Sequence, residues 1–163
     1  MIRNGLWLKN GWDALNELKT RNLKNTDVDD FNCGGYGLNV FGWYCPYDTE
    51  EQSYKYFGGG RTLAMSDDMV AEETTAMMLK HFNGKLRRIE TLDDIREDEY
   101  GVLYKVGSSD FHFIKYFPES KRFFHKPGPW SIRRISKDEA MADVWYGSTV
   151  TYTSKTIFFA MKK

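Results

Sequence analysis

The sequence predicts an α+β fold in which helices carrying a cysteine are followed by an antiparallel sheet carrying two histidines. Three observations lead there. Helix signals cluster before residue 84, and strand signals dominate after it. Three consecutive runs, at 101–106, 111–117 and 122–126, are rich in β-branched and aromatic residues. Aromatic residues make up 16% of the 163-residue chain and are spread along most of it, which suits a sheet-rich core. That length supports one full hydrophobic core and is short for two, so a single domain over 1–163 is expected.

The elements follow in order. A short helix is expected around 12–18, then a polar stretch to Asp30. Gly34, Gly35 and Gly37 predict a turn opening into a short helix or coil through Val40. Trp43-Tyr44-Cys45-Pro46 and Gly58-Gly59-Gly60 are rich in breakers and read as loops. Ser66 can cap the strongest helix, with Ala71, Thr75, Met78, Leu79 and Phe82 on one face and Gly84 as its stop. A strand is expected over 85–89 and a capped turn over 91–94. The three strand runs come next, and Ser136 with Glu139 forms a capping box for a helix reaching about Trp145. Strands at 149–152 and 156–161 close the chain.

Charge and composition exclude several classes of function. Lys plus Arg and Asp plus Glu both number 23, so no net field points to nucleic acid or an acidic membrane. The local basic residues Lys85, Arg87, Arg88, Lys121, Arg122, Lys126, Arg133 and Arg134 read as solvated surface, and nucleic acid is not expected as a partner. Two cysteines make a poor disulfide framework, which favours a reducing, cytoplasmic setting. The first residues lack the apolar run of a signal peptide, and no stretch approaches the roughly 20 apolar residues of a membrane span. Gly58-Gly59-Gly60-Arg61 lacks the Gly-Lys-Ser/Thr ending of a phosphate loop and is expected to be flexible, with a lid as the alternative. No cofactor is expected.

The chemistry concentrates in three places: Asn32-Cys33-Gly34-Gly35, Asp110-Phe111-His112-Phe113 and His125-Lys126-Pro127-Gly128. A cysteine on a glycine turn can open its sulfur to a cleft, and a nearby imidazole can take its proton to make a thiolate nucleophile. A two-residue loop at Pro118-Glu119 would set His112 opposite His125. Any even-length loop keeps both on one sheet face, and an odd one separates them. Backbone amides around Cys33-Gly34 and the Asn32 side chain are the candidate oxyanion donors. Trp43, Tyr44 and Asp110 are the candidate substrate contacts. Each residue also has a plainer reading. Cys33 could be buried and inert or bonded to Cys45, the histidines could be packing residues, and zinc could bridge them with Cys33 and Asp110, although no local ligand pair supports it. His81, late in the strongest helix, suits the helix dipole and is assigned no chemistry.

Those three motifs resemble the papain-like cysteine hydrolases, especially the NlpC-type branch. More narrowly they resemble a group of bacterial and phage proteins with an Asn-Cys, an aromatic-flanked His and a His-Lys-Pro-Gly motif. The resemblance covers roughly residue 31 to the C-terminus. It implies a papain-like fold with Cys33 as nucleophile, His112 as general base and His125 as orienting partner. NlpC-type cell-wall enzymes are normally exported, and with no export signal here the expected substrate is an intracellular protein or peptide. For a phage-encoded chain that means a host or defence protein in the host cytoplasm. The expected activity is protease, amidase or deamidase. The alternative is an inhibitor or binding protein on a vestigial scaffold of the same kind.

Overall fold

A computed structural model describes residues 2–3, 6–7, 31–40, 42–128 and 130–163. The helix expected around 12–18 lies outside the described residues. Within them the protein is mixed α and β, with four α-helices and a six-stranded antiparallel sheet. Strands β1 (Ile2–Arg3) and β2 (Leu6–Trp7) pair with each other, and β2 pairs with β3 (Trp43–Tyr44). The short helix α1 (Cys33–Gly37) falls where the glycines predicted it.

Helix α2 (Glu50–Phe57) occupies a stretch the sequence reading left unassigned. Its signal is a full capping box: the Thr49 hydroxyl accepts from the Gln52 amide, and the Gln52 side chain accepts from the Thr49 amide. Helix α3 (Asp67–Phe82) starts at Ser66 as expected and ends at Asn83 in the left-handed conformation. Its buried face is Val70, Ala71, Thr74, Thr75 and Met78. That is rotated toward Val70 and Thr74 relative to the expected stripe, because Thr74 back-bonds to Val70 and holds the Tyr104 hydroxyl at 2.8 Å.

The large sheet runs β4 (Leu86–Ile89), β11 (Ile157–Lys162), β5 (Glu99–Val106), β6 (Phe111–Phe117), β7 (Arg122–His125) and β8 (Arg133–Ile135), each neighbouring pair antiparallel. Central β5 is buried along its whole length. Strand β8 was not anticipated, since three residues are too few to reveal an alternation. The helix expected to reach Trp145 stops early: α4 spans Lys137–Ala140. The Trp145 indole N–H donates to the Ala140 carbonyl at 3.0 Å, satisfying a helix-end acceptor and turning the chain back into the β9 (Trp145–Tyr146) and β10 (Thr151–Tyr152) hairpin.

The side-chain alternation of β6 divides the core. Phe111 and Phe113 face a cluster that contains Cys33, Tyr44, Met78 and Tyr104, and Phe113 stacks on Tyr104 at 4.7 Å. Ile114 faces the second cluster, with Leu103, Phe123, Ile135, Trp145 and Tyr152. Helix α3 packs over β4 and β5, while α4 approaches β7. Among the described residues no helix is long and apolar enough to cross a membrane.

Candidate active site

The hairpin that carries both histidines has a four-residue turn, 118–121, closed by Lys121 at φ 56°. The register sets Phe117 opposite Arg122, so the loop sits one residue beyond the expected centre. Continuing that register leaves His112 diagonal to His125 rather than opposite it, but the turn is even, and both rings share a face. They meet at 2.7 Å, His112 Nε2 to His125 Nδ1, with the rings nearly perpendicular. His112 also stacks on Tyr152 and meets Trp145 edge-on.

The proton order in this pair is set from its far end. The Arg133 Nε–H can only donate, and it reaches His125 Nε2 at 3.2 Å. His125 therefore carries its proton on Nδ1 and donates it to His112 Nε2, which leaves the His112 proton on Nδ1. That Nδ1 has no hydrogen-bond partner among the described residues. Burial first, then the His125 and Arg133 charges, lower His112 to about 3. Burial and Arg133 lower His125 to about 4. Both rings are neutral at neutral pH.

Cys33 opens α1, with Asn32 as its cap. The side chain of Asn32 makes three hydrogen bonds. Its oxygen accepts from Gly35 at 2.9 Å and from the Tyr44 amide at 3.1 Å, and its Nδ2 donates to the Tyr44 carbonyl at 2.8 Å. One N–H of the nitrogen expected to serve an oxyanion thus clamps the Tyr44 peptide, and an amide nitrogen carries two. Gly34 is required by a close approach, since a Cβ there would lie 2.7 Å from the Tyr44 carbonyl. The Cys33 thiol is buried and raised, by desolvation first and then by Asp110, while the neighbouring backbone of Phe113 and Gly34 acts the other way. Cys45 is raised to about 12, chiefly by burial. Both cysteines are free, so the alternative of a disulfide between them does not hold.

A cleft of about 1130 Å³ lies on the second face of the sheet. His112, His125 and Asp110 line it, with Arg133, Trp130 and Tyr146. Cys33, Trp43 and Tyr44 are not among its lining residues. Tyr44 is buried in the first cluster, with its hydroxyl 2.6 Å from His81 Nδ1, and Trp43 is half-buried on β3. Asp110 accepts from the Tyr152 hydroxyl at 3.2 Å and from the Phe111 amide, and burial raises its carboxyl. The structure thus joins the two histidines to each other and to the cleft, and sets Cys33 in the cluster of Phe113, the residue next to His112. Among the described residues no hydrogen bond links Cys33 to either ring.

Sequence reasoning missed Arg133, Trp145 and Tyr152 as site residues. Arg133 looked like one of several surface cations, and its role comes from the β7–β8 pairing of His125 with Arg133. Among the described residues no group of three or more His, Cys, Asp or Glu side chains could hold a metal ion. No family model, curated protein or solved structure matches the chain.

Proposed function

We propose that the chain is a cysteine-nucleophile hydrolase on a papain-like scaffold, acting on an amide bond of a protein or peptide inside the cell. For a phage-encoded chain the target would be a host or defence protein. The observation that carries this reading is the pairing of roles on two consecutive residues of β6. His112 turns its ring to the cleft and its Nε2 to His125, while Phe113 packs in the cluster that holds Cys33. Thiol and imidazole are thereby held at neighbouring residues of one strand, and the reaction requires the Cys33 side chain to turn past the strand into hydrogen-bond reach of the ring.

In the proposed reaction the Cys33 S–H proton passes to Nδ1 of His112, which must first present a lone pair there. The thiolate attacks the carbonyl carbon, and the C–N bond breaks as His112 returns the proton to the departing nitrogen. Water then attacks the thioester, the C–S bond breaks, and acid and thiol are released. His125 holds the ring of His112 throughout. Asp110, which lines the cleft near the thiol, is positioned to contact substrate.

A second reading, a binding or inhibitor protein on the same scaffold with a vestigial site, draws on the burial of Cys33. The residue is only 6% exposed, and an apolar setting holds its thiol protonated. Iodoacetamide near neutral pH separates the two. Hydrolase chemistry predicts selective alkylation of Cys33, slowed about 100-fold in His112→Ala, within the range a positioned base contributes. An unreactive Cys33, or one indifferent to His112, leaves the binding reading.

A further inference from the structure

Arg133 is placed where a cation gains little. Its Nε–H donates to a neutral imidazole, it lines the cleft, and among the described residues it pairs with no carboxylate. Asp138 and Glu139 line the same cleft, so the cleft is not a general well of positive charge. Selection there must come from the geometry of one guanidinium. Two large aromatic side chains, Trp130 at 69% and Tyr146 at 82% exposure, stand in the same lining with nothing packed over them.

We propose that Arg133 is the specificity-determining residue of the cleft, binding a carboxylate of a peptide ligand and letting go of His125 as it does so. A guanidinium fork matches a carboxylate in two parallel hydrogen bonds between opposite charges, whereas it makes one bond to a neutral ring here. Trp130 and Tyr146 supply stacking area for the side chains of the peptide.

The exchange has a consequence for the histidine pair. With Arg133 in place, the His125 proton sits on Nδ1 and that of His112 on Nδ1, so the free nitrogen of His112 is a donor and no base. Once Arg133 turns to the carboxylate, His125 Nε2 is free to be protonated. Each ring then gives up its Nδ1 proton to cleft water and takes one at Nε2, with no net change in protons. His112 Nε2–H now donates to His125 Nδ1, and the Nδ1 lone pair of His112 is open. Substrate binding would thus set the proton order that the chemistry requires. This last consequence rests on the hydrolase reading of the site; the binding of a carboxylate does not.

The test uses the full chain carrying Cys33→Ala, so that no turnover consumes the ligand, with imidazole 15N shifts read for His125. Three short aromatic peptides are titrated: one with a free C-terminal carboxylate, its C-terminal amide, and an amide carrying an internal glutamate. A carboxylate peptide is expected to bind about ten-fold or more tightly than the plain amide. It should also move His125 from the Nδ1–H to the Nε2–H tautomer. Whichever carboxylate is preferred identifies its source, and either preference supports the proposal. Arg133→Gln should abolish the preference and show the Nε2–H tautomer without any peptide, while Arg133→Lys keeps the charge and loses most of the preference. Equal binding of amide and carboxylate, or a preference that survives Arg133→Gln, overturns it. A carboxylate preference beside an unreactive Cys33 in the wild type would remove the hydrolase and keep the binding site. Fast, His112-dependent alkylation with no carboxylate preference would do the reverse.

Discussion

His81 and His112 stand at two hydrogen-bonded relays of similar make, and the difference between them lies at the far end. On the first, Asp48 Oδ1 accepts from His81 Nε2 at 2.6 Å, so in the neutral ring Nδ1 is the acceptor and takes the Tyr44 hydroxyl at 2.6 Å. The tyrosine is buried, and its peptide is gripped on both sides by Asn32. On the second relay the far end is Arg133, a donor, and the protons line up in the opposite sense. A carboxylate terminus makes the near nitrogen a base, and a guanidinium terminus makes it a donor. The relay already ordered as a base is filled by a phenol and acts as a strut. The relay that faces the open cleft is ordered the other way, and an incoming anion can reset it.

The largest effect that would sharpen this contrast comes from the clamp. Asn32→Ala removes three buried hydrogen bonds at once and leaves the two backbone groups of Tyr44 without their partner. A loss of about 3 kcal/mol is expected, read by urea unfolding. His81→Ala leaves only the Tyr44 hydroxyl stranded in the core and should cost about 2 kcal/mol. The same variant should leave the alkylation rate of Cys33 within about two-fold of wild type, since neither His81 nor Tyr44 lines the cleft and the Asn32 clamp on Tyr44 is kept. If His81→Ala slowed alkylation as strongly as His112→Ala, the division into a strut and a reactive relay would collapse.

The two relays were unequally legible in the sequence. The even parity of the turn was enough to put His112 and His125 on one face, and it survived a one-residue displacement of the loop because side-chain direction repeats every two residues. Strands β5, β6 and β7 and the Ser66-capped helix were readable for the same local reasons: alternation, β-branched and aromatic runs, and a cap. What could not be read depends on contacts far apart in the chain. His81 suited its helix dipole, and nothing local announced that Asp48 and Tyr44 would converge on it across more than thirty residues. Asn32 looked like a donor beside the cysteine, and no local pattern showed that its amide would also grip a strand twelve residues away. Arg133 was hidden because its meaning lies in a three-residue strand that carries no pattern of its own.

The effect most specific to the open relay appears in the pH dependence of stability. In the unfolded chain both histidines take up protons as pH falls below about 6.5. In the folded protein burial and Arg133 keep them neutral until about 4 for His125 and about 3 for His112. The unfolded state therefore binds more protons throughout that window, and stability falls as pH drops through it, by up to about 1.4 kcal/mol per pH unit for each ring. Glu99, held down to about 2 chiefly by Arg87, adds a loss of the same sign only below its ordinary range near 4.5. The interval from 6.5 to 4.5 isolates the histidines from it. Asp110 opposes them, because its burial-raised carboxyl protonates first in the folded state. Unfolding free energy measured against pH should accordingly slope downward on acidification in the wild type and about half as steeply in His125→Gln, which keeps a polar side chain and removes one of the two proton sites. An unchanged slope in His125→Gln would mean that the pair is already charged or already wet, and the neutral, Arg133-ordered relay would be lost with it.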